Sequence, residues 1–185
     1  MKGKFVLVLG GSRSGKSEYA EEIAGRSGKR IIYIATAAVH DDEMAERVKI
    51  HQKRRPQNWV TVEEEKDVLD VLSQGGEGDT FLLDCATLWL TNLLLEQQNS
   101  EMLIAPSDKE TQILAQVARL SETVDNGADL IVVSSEVGLG LIPEHPLGRV
   151  FRDLAGKANQ MLASRADSVY LLVAGIPMEI KSQRQ

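Results

Sequence analysis

Gly10-Gly11-Ser12-Arg13-Ser14-Gly15-Lys16-Ser17 follows the apolar run Phe5-Val6-Leu7-Val8-Leu9 and opens a segment of helical pattern from Ser17 to Ala24. Strand, glycine-rich loop and helix in that order are what a phosphate-binding P-loop requires. The glycines let the backbone turn tightly, so that successive N–H groups point inward at an anion. The positive end of the following helix adds to the attraction. Lys16 would reach the β- and γ-phosphates, and the Ser17 hydroxyl would ligate Mg²⁺. Every fixed position of the motif is present, which sets this reading above that of a glycine-rich turn joining a strand to a helix. Residues 10–17 are therefore read as the grip on a nucleoside triphosphate.

Outward from the loop, short β-branched and leucine-rich runs alternate with longer helical patterns, the signature of α/β layering around a mainly parallel sheet. The patterns predict strands over 4–9, 30–35, 59–62, 80–84, 129–134 and 167–173. Helices are expected over 16–26, 41–53, 66–73, 86–97, 108–126 and 147–165. The near-continuous runs Phe81-Leu82-Leu83 and Leu130-Ile131-Val132-Val133 suit central strands covered on both faces. Gly175-Ile176-Pro177 reads as a turn, after which Met178 to Lys181 would return as a short antiparallel edge strand. Gly75 to Gly78 and Ser100 to Ser107 read as loops. The expected fold is a P-loop NTPase-type three-layer α/β architecture, with residues 1–185 forming one domain.

Composition sets outer bounds. A chain of 185 residues suits one domain that buries roughly 70% of its unfolded surface. An apolar fraction of 43% with 26% charged residues is ordinary for a soluble globular protein. The net charge of −6 argues against a general nucleic-acid or membrane-surface binder, which carries a basic excess. Cys85 is the one cysteine, so no intramolecular disulfide can form, and a reducing compartment such as the cytoplasm fits. Lys2 and Lys4 before a short apolar run faintly imitate a signal peptide. The run is too short, however, and flows directly into the P-loop. No run approaches the length of a membrane span.

A P-loop protein needs an acidic residue at the end of another strand to hold Mg²⁺. Asp84, closing Thr80-Phe81-Leu82-Leu83-Asp84, is the favoured candidate, and Glu136 after Val132-Val133-Ser134-Ser135 is its competitor. The guanine-reading motif Asn-Lys-x-Asp is absent. Glu63, next to the strand Trp59 to Val62, could accept the N1 and N2 protons of guanine. Taken alone, Glu63-Glu64-Glu65 reads better as a solvated charge run starting the next helix.

The second informative stretch runs from Asp41 to Pro56. Its acidic first turn and basic last turn suit a helix dipole, and Pro56 stops it. At helical spacing Arg47, Arg54 and Arg55 share a face with His51. Neighbouring cations disfavour protonation of an imidazole whose ordinary value is about 6.5, leaving it neutral and nucleophilic. The same cations would neutralise a phosphate chain under attack. A nucleotidylated histidine fits, as does one that only hydrogen-bonds a phosphate, or an incidental His on a basic helix end. His40 and His145 fall in loops without comparable surroundings and are read as structural.

These residues together carry a family resemblance. The P-loop is followed by Tyr33-Ile34-Ala35-Thr36, then Asp42-Glu43-Met44 with Arg47, His51, Arg55 and Pro56, then Trp59, Glu63 and Thr91-Asn92-Leu93-Leu94. Glu136-Val137-Gly138-Leu139-Gly140-Leu141-Ile142-Pro143 comes next, with Phe151-Arg152-Asp153, Gly156, Asn159 and Gln160 beyond it. In this order, over nearly the whole chain, they resemble the bifunctional adenosylcobinamide kinase / adenosylcobinamide-phosphate guanylyltransferases of cobalamin biosynthesis.

The resemblance implies two reactions. Adenosylcobinamide is phosphorylated from ATP or GTP. GMP then passes from GTP through a covalent phosphoramidate on His51 to adenosylcobinamide phosphate, giving adenosylcobinamide-GDP and pyrophosphate. It implies nucleotide contacts at the P-loop, Ala35-Thr36-Ala37, Gln52, Lys53, Arg54, Arg55, Glu63 and Asp84, Mg²⁺ at Ser17 and Asp84, a corrinoid substrate and a homotrimer. Asp84 stands where members carry Glu, and His145 where Asn is common after Pro143-Glu144. The alternatives are a P-loop kinase or guanylyltransferase alone, or a nucleotide-gated regulatory protein.

Overall fold

The structure, a computed structural model, describes residues 1–38, 46, 52, 55–96 and 106–182. Its strands are β1 Phe5–Gly10, β2 Arg30–Ala35, β3 Val60–Glu63, β4 Asp79–Asp84, β5 Asp129–Ser135, β6 Ser168–Val173 and β7 Ile176–Lys181. Its helices are α1 Lys16–Gly25, α2 Val68–Ser73, α3 Ala86–Glu96, α4 Pro106–Leu120 and α5 Pro146–Arg165. The strands form one sheet in the order β3-β2-β4-β5-β1-β6-β7. All neighbours run parallel except β6 and β7.

Strand alternation divides the apolar residues between two layers. Phe5, Leu7 and Leu9, Ile32 and Ile34, Phe81 and Leu83, and Leu130 and Val132 point to one face. There they pack with Trp89 and Leu93 of α3, Ile113 and Val117 of α4 and Leu154, Ala158 and Leu162 of α5. Val8, Tyr33, Leu82, Ile131 and Val133 point to the other face, against Ala20 and Ala24 of α1. The result is the expected three-layer α/β fold. Trp89 is fully buried, and its Nε1 donates to the Lys66 carbonyl at 2.8 Å, so the indole brings its polar edge into the core satisfied.

Several boundaries differ from the sequence reading. The expected helix 108–126 begins at Pro106, a residue suited to the first helical position. It ends at Leu120, and Ser121–Asn126 continues as a 3₁₀ helix. Ser121 Oγ donates to the Ala118 carbonyl at 2.9 Å, competing with the backbone ladder at that junction. The helix expected from 66 starts at Val68, because the Glu64 carboxylate accepts the amides of Lys66 and Asp67 and holds them in a turn. Trp59 N donates to Pro56 O at 3.1 Å, so the strand read as 59–62 runs from Val60 to Glu63.

The final turn is Ala174-Gly175, not Gly175-Ile176-Pro177. Both turn residues have positive φ, 52° and 81°, the pattern of a two-residue type I′ hairpin, whose twist matches the strands it joins. Pro177 is tolerated inside β7 because β7 is the edge strand. The expected helix 41–53 lies outside the described residues apart from Glu46 and Gln52, both helical. Residues 100–105 of the loop read as Ser100 to Ser107 also lie outside them; Pro106 and Ser107 are helical.

Candidate active site

The carboxyl ends of β1, β2, β3 and β4 gather most of the residues singled out by sequence, at the edge where open α/β sheets take their ligands. The loop between β1 and α1 has Arg13 and Gly15 at φ 55° and 91°. Its tightest point is Gly10, where a Cβ would come within 2.7 Å of the Leu172 carbonyl oxygen. Gly175 N donates to Ser14 O at 3.0 Å, tying the β6–β7 turn to the loop from the side. Gly11, Ser12 and Arg13 are exposed, and Ser17 is half-buried in the first turn of α1.

Lys16 Nζ donates to the Gly11 carbonyl at 2.7 Å. Burial holds its ammonium below the ordinary lysine value, and nearby Cys85 and Asp84 oppose that shift. Asp84 closes β4 and accepts from the Tyr33 hydroxyl through Oδ2 at 2.6 Å. Its competitor Glu136 is engaged within its own loop, accepting from Gly138 N at 3.0 Å. Burial pushes the Cys85 thiol up to about 12, so it is no thiolate nucleophile at neutral pH.

Ala35, Thr36 and Ala37 leave β2 beside Asp84. Thr36 N donates to Asp84 O at 3.2 Å, and Thr36 Oγ1 both donates to Cys85 O and accepts from Cys85 N. Asn92 of α3 donates to Thr36 O and to Glu65 O, fixing this crossing. Glu63 lies opposite Ala35 in the β2–β3 register and accepts from Gln52 Nε2 at 2.9 Å. Arg55 lays its guanidinium 3.5 Å from the centre of the Tyr33 ring. Its Nε and Nη1 are buried without a hydrogen-bond partner among the described residues. His51, Lys53 and Arg54 lie outside the described residues. Gln52 and Arg55, their described neighbours in sequence, both reach this end of the sheet.

Among the described residues no group of three or more His, Cys, Asp or Glu could hold a metal. Mg²⁺ does not require one, since it uses one or two protein oxygens together with substrate phosphates and water. The hydroxyl of Ser17 and the carboxylate of Asp84 are hard oxygen donors of that kind, beside a lysine that would meet the same phosphates.

Residues 6–180 match the family described as cobinamide kinase / cobinamide phosphate guanyltransferase. The chain belongs to this family. It is 40% identical over 186 residues to the bifunctional adenosylcobalamin biosynthesis protein CobU of Salmonella typhimurium, covering 95% of this chain and 99% of that one. It is 42% identical to the bifunctional protein CobP of Pseudomonas aeruginosa, over 96% and 97% of the two chains. Among solved structures it is similar to a Pyrococcus horikoshii protein, with a TM-score of 0.57, 12% identity and coverage of 100% and 89%. It is also similar to an ATPase of a bacterial type III secretion system, with a TM-score of 0.60, 11% identity and coverage of 98% and 57%. These last two likenesses concern the fold alone. As a member of the cobinamide kinase / cobinamide phosphate guanyltransferase family the protein is an enzyme, with both transfer activities, of adenosylcobalamin biosynthesis.

Thr87 and Ser134 were not singled out from sequence, and Asn159 entered only with the family resemblance. Thr87 of α3, Ser134 of β5 and Asn159 of α5 form a buried polar chain, with Ser134 Oγ donating to Asn159 Oδ1 at 2.7 Å and Ser135 N to Thr87 Oγ1 at 2.6 Å. The chain fixes the end of β5 next to the P-loop strand. His145, read as structural, caps α5, its Nδ1 accepting from Leu147 N at 3.3 Å. That is the work an Asn would do at the same place.

Proposed function

We propose that His51 carries the GMP between the two substrates and that one P-loop site serves both reactions. In the kinase step the substrate hydroxyl oxygen bonds to the γ-phosphorus, the bond to the bridging oxygen breaks, and nucleoside diphosphate and a proton leave. In the first half of guanylyl transfer a neutral His51 nitrogen bonds to the α-phosphorus of GTP as pyrophosphate departs. In the second half a phosphate oxygen of adenosylcobinamide phosphate displaces the imidazole, giving adenosylcobinamide-GDP. The covalent intermediate divides one displacement into two easier ones.

Lys16 and the loop amides of residues 10–17 hold the phosphates through both reactions. Mg²⁺, held by Ser17 and Asp84, supplies charge neutralisation on the phosphate oxygens when bound. Gln52, Lys53, Arg54 and Arg55 serve as nucleotide contacts beside His51, as do Ala35, Thr36, Ala37 and Glu63, with Glu63 suited to the guanine N1 and N2 protons. The observation that carries this reading is the convergence of Lys16, Asp84 and both described neighbours of His51 on one sheet end. The unpaired donors of Arg55 add support, since a buried charged donor without an acceptor is costly and an oxyanion would satisfy it. One domain over residues 1–185, a homotrimeric assembly and a cytoplasmic setting belong to the same proposal. Among the described residues no helix is long and apolar enough to cross a membrane.

The test is intact-mass measurement of the protein after incubation with Mg²⁺ and GTP. The wild type gains one GMP, labile to acid and stable to base, and His51→Ala gains none while keeping much of its kinase activity. A folded His51→Ala protein that loses both activities would give His51 a shared binding role instead.

A further inference from the structure

In the β2–β4 register Tyr33 lies opposite Leu82, and Ala35 opposite Asp84. Side chains two apart on a strand share a face, so Tyr33, Leu82 and Asp84 emerge together on the side covered by α1. Tyr33 is 1% exposed. A phenylalanine would fill the same space and offer the same ring to Arg55. The hydroxyl brings a polar atom into the core, where it needs a partner, and its partner is the Asp84 carboxylate at 2.6 Å. On the ring face sits the Arg55 guanidinium, with two buried donors unpaired among the described residues.

We infer that Tyr33 is a positioning residue of the nucleotide site, its hydroxyl aiming the Asp84 carboxylate and its ring carrying the Arg55 guanidinium. A charge-assisted hydrogen bond to a metal-binding carboxylate fixes the rotamer and leaves the other oxygen to face the ion. The same side chain then sets the group on the metal side of the triphosphate and a cation on its phosphate side. This inference rests on the reading of Asp84 as a Mg²⁺ ligand.

The experiment measures binding of α,β-methylene GTP, which cannot donate GMP, to the full-length protein by calorimetry with Mg²⁺ and with EDTA. The readout is the Mg²⁺ dependence of affinity, with melting temperatures confirming that each variant is folded. Asp84→Asn abolishes the Mg²⁺ enhancement. Tyr33→Phe keeps the ring and shifts the Mg²⁺ concentration needed for half the enhancement upward by about tenfold, the scale for loss of an outer-shell partner. Tyr33→Leu removes the ring as well and lowers affinity in EDTA, which Tyr33→Phe does not do to the same extent. Wild-type Mg²⁺ dependence in Tyr33→Phe, with the Asp84→Asn loss intact, overturns the positioning role. An unchanged enhancement in Asp84→Asn instead removes the metal reading of Asp84, and this inference with it. Equal EDTA affinities for the Phe and Leu variants overturn the part assigned to the ring.

Discussion

At the amino ends of the strands, Asp129 accepts from Lys4 N at 2.8 Å and pairs with Lys29 at 2.9 Å, while Asp167 accepts from Phe5 N at 2.8 Å. Asp79 there accepts from Arg30 Nε and from Gly76 N. At the carboxyl ends of the same strands, Ser14 Oγ and two Arg55 nitrogens are buried without partners among the described residues, and Lys16 is partly desolvated against its own loop. Among the described residues the amino edge answers its carboxylates and the amides beside them within the protein, with the Thr80 hydroxyl left over, whereas the carboxyl edge holds charged donors in place for something else. A sheet can therefore be read for function by asking which of its ends leaves polar groups unmatched. Binding sites retain such groups at some cost to stability, and the opposite edge supplies the compensation.

The sharpest way to break this contrast is Lys16→Ala. Both transfer reactions should slow by on the order of 10²–10³-fold, the scale for losing one donor to developing charge. The melting temperature should not fall, because the removed ammonium was desolvated in the folded state. A drop in stability would make Lys16 a structural residue as well. At the other edge Asp167→Ala should destabilise by about 1–3 kcal/mol, since it strips the acceptor from the buried Phe5 amide. Urea unfolding would read this, and nucleotide affinity should stay unchanged.

The smallest expected effect concerns pH. The Arg30 hydrogen bond holds the Asp79 carboxyl below the ordinary aspartate value. Its contribution is therefore fully present above about pH 3.9 and is lost as pH falls through the lower folded value. Asp79→Asn should be less stable than wild type at pH 7, and the gap should close in acid. A gap that persists to pH 2 would assign the stabilisation to shape, not charge.

The legibility of the molecule follows the same division between local and distant. Residues 10–17 could be read directly because the loop's chemistry depends on neighbours in sequence. The central strands could be read because burial on both faces demands continuous apolar runs such as 130–133. Ala174 gave no signal, because its positive φ is imposed by the hairpin twist and not by its own preference. Tyr33 stood in plain view within Tyr33-Ile34-Ala35-Thr36, yet its meaning depends on β2 lying beside β4, a register that no local pattern encodes. The chain of Thr87, Ser134 and Asn159 draws on three separate elements and was hidden for the same reason.

The bond from Gly175 N to Ser14 O joins the β1–α1 loop to a turn far later in the sequence. On the ribosome the glycine-rich segment emerges well before the turn that supplies its lateral brace. Stalled or prematurely released chains would carry the full phosphate-binding motif with its shoulder unsupported. The phosphate-binding loop thus reaches its full set of backbone contacts only once the β6–β7 hairpin has formed.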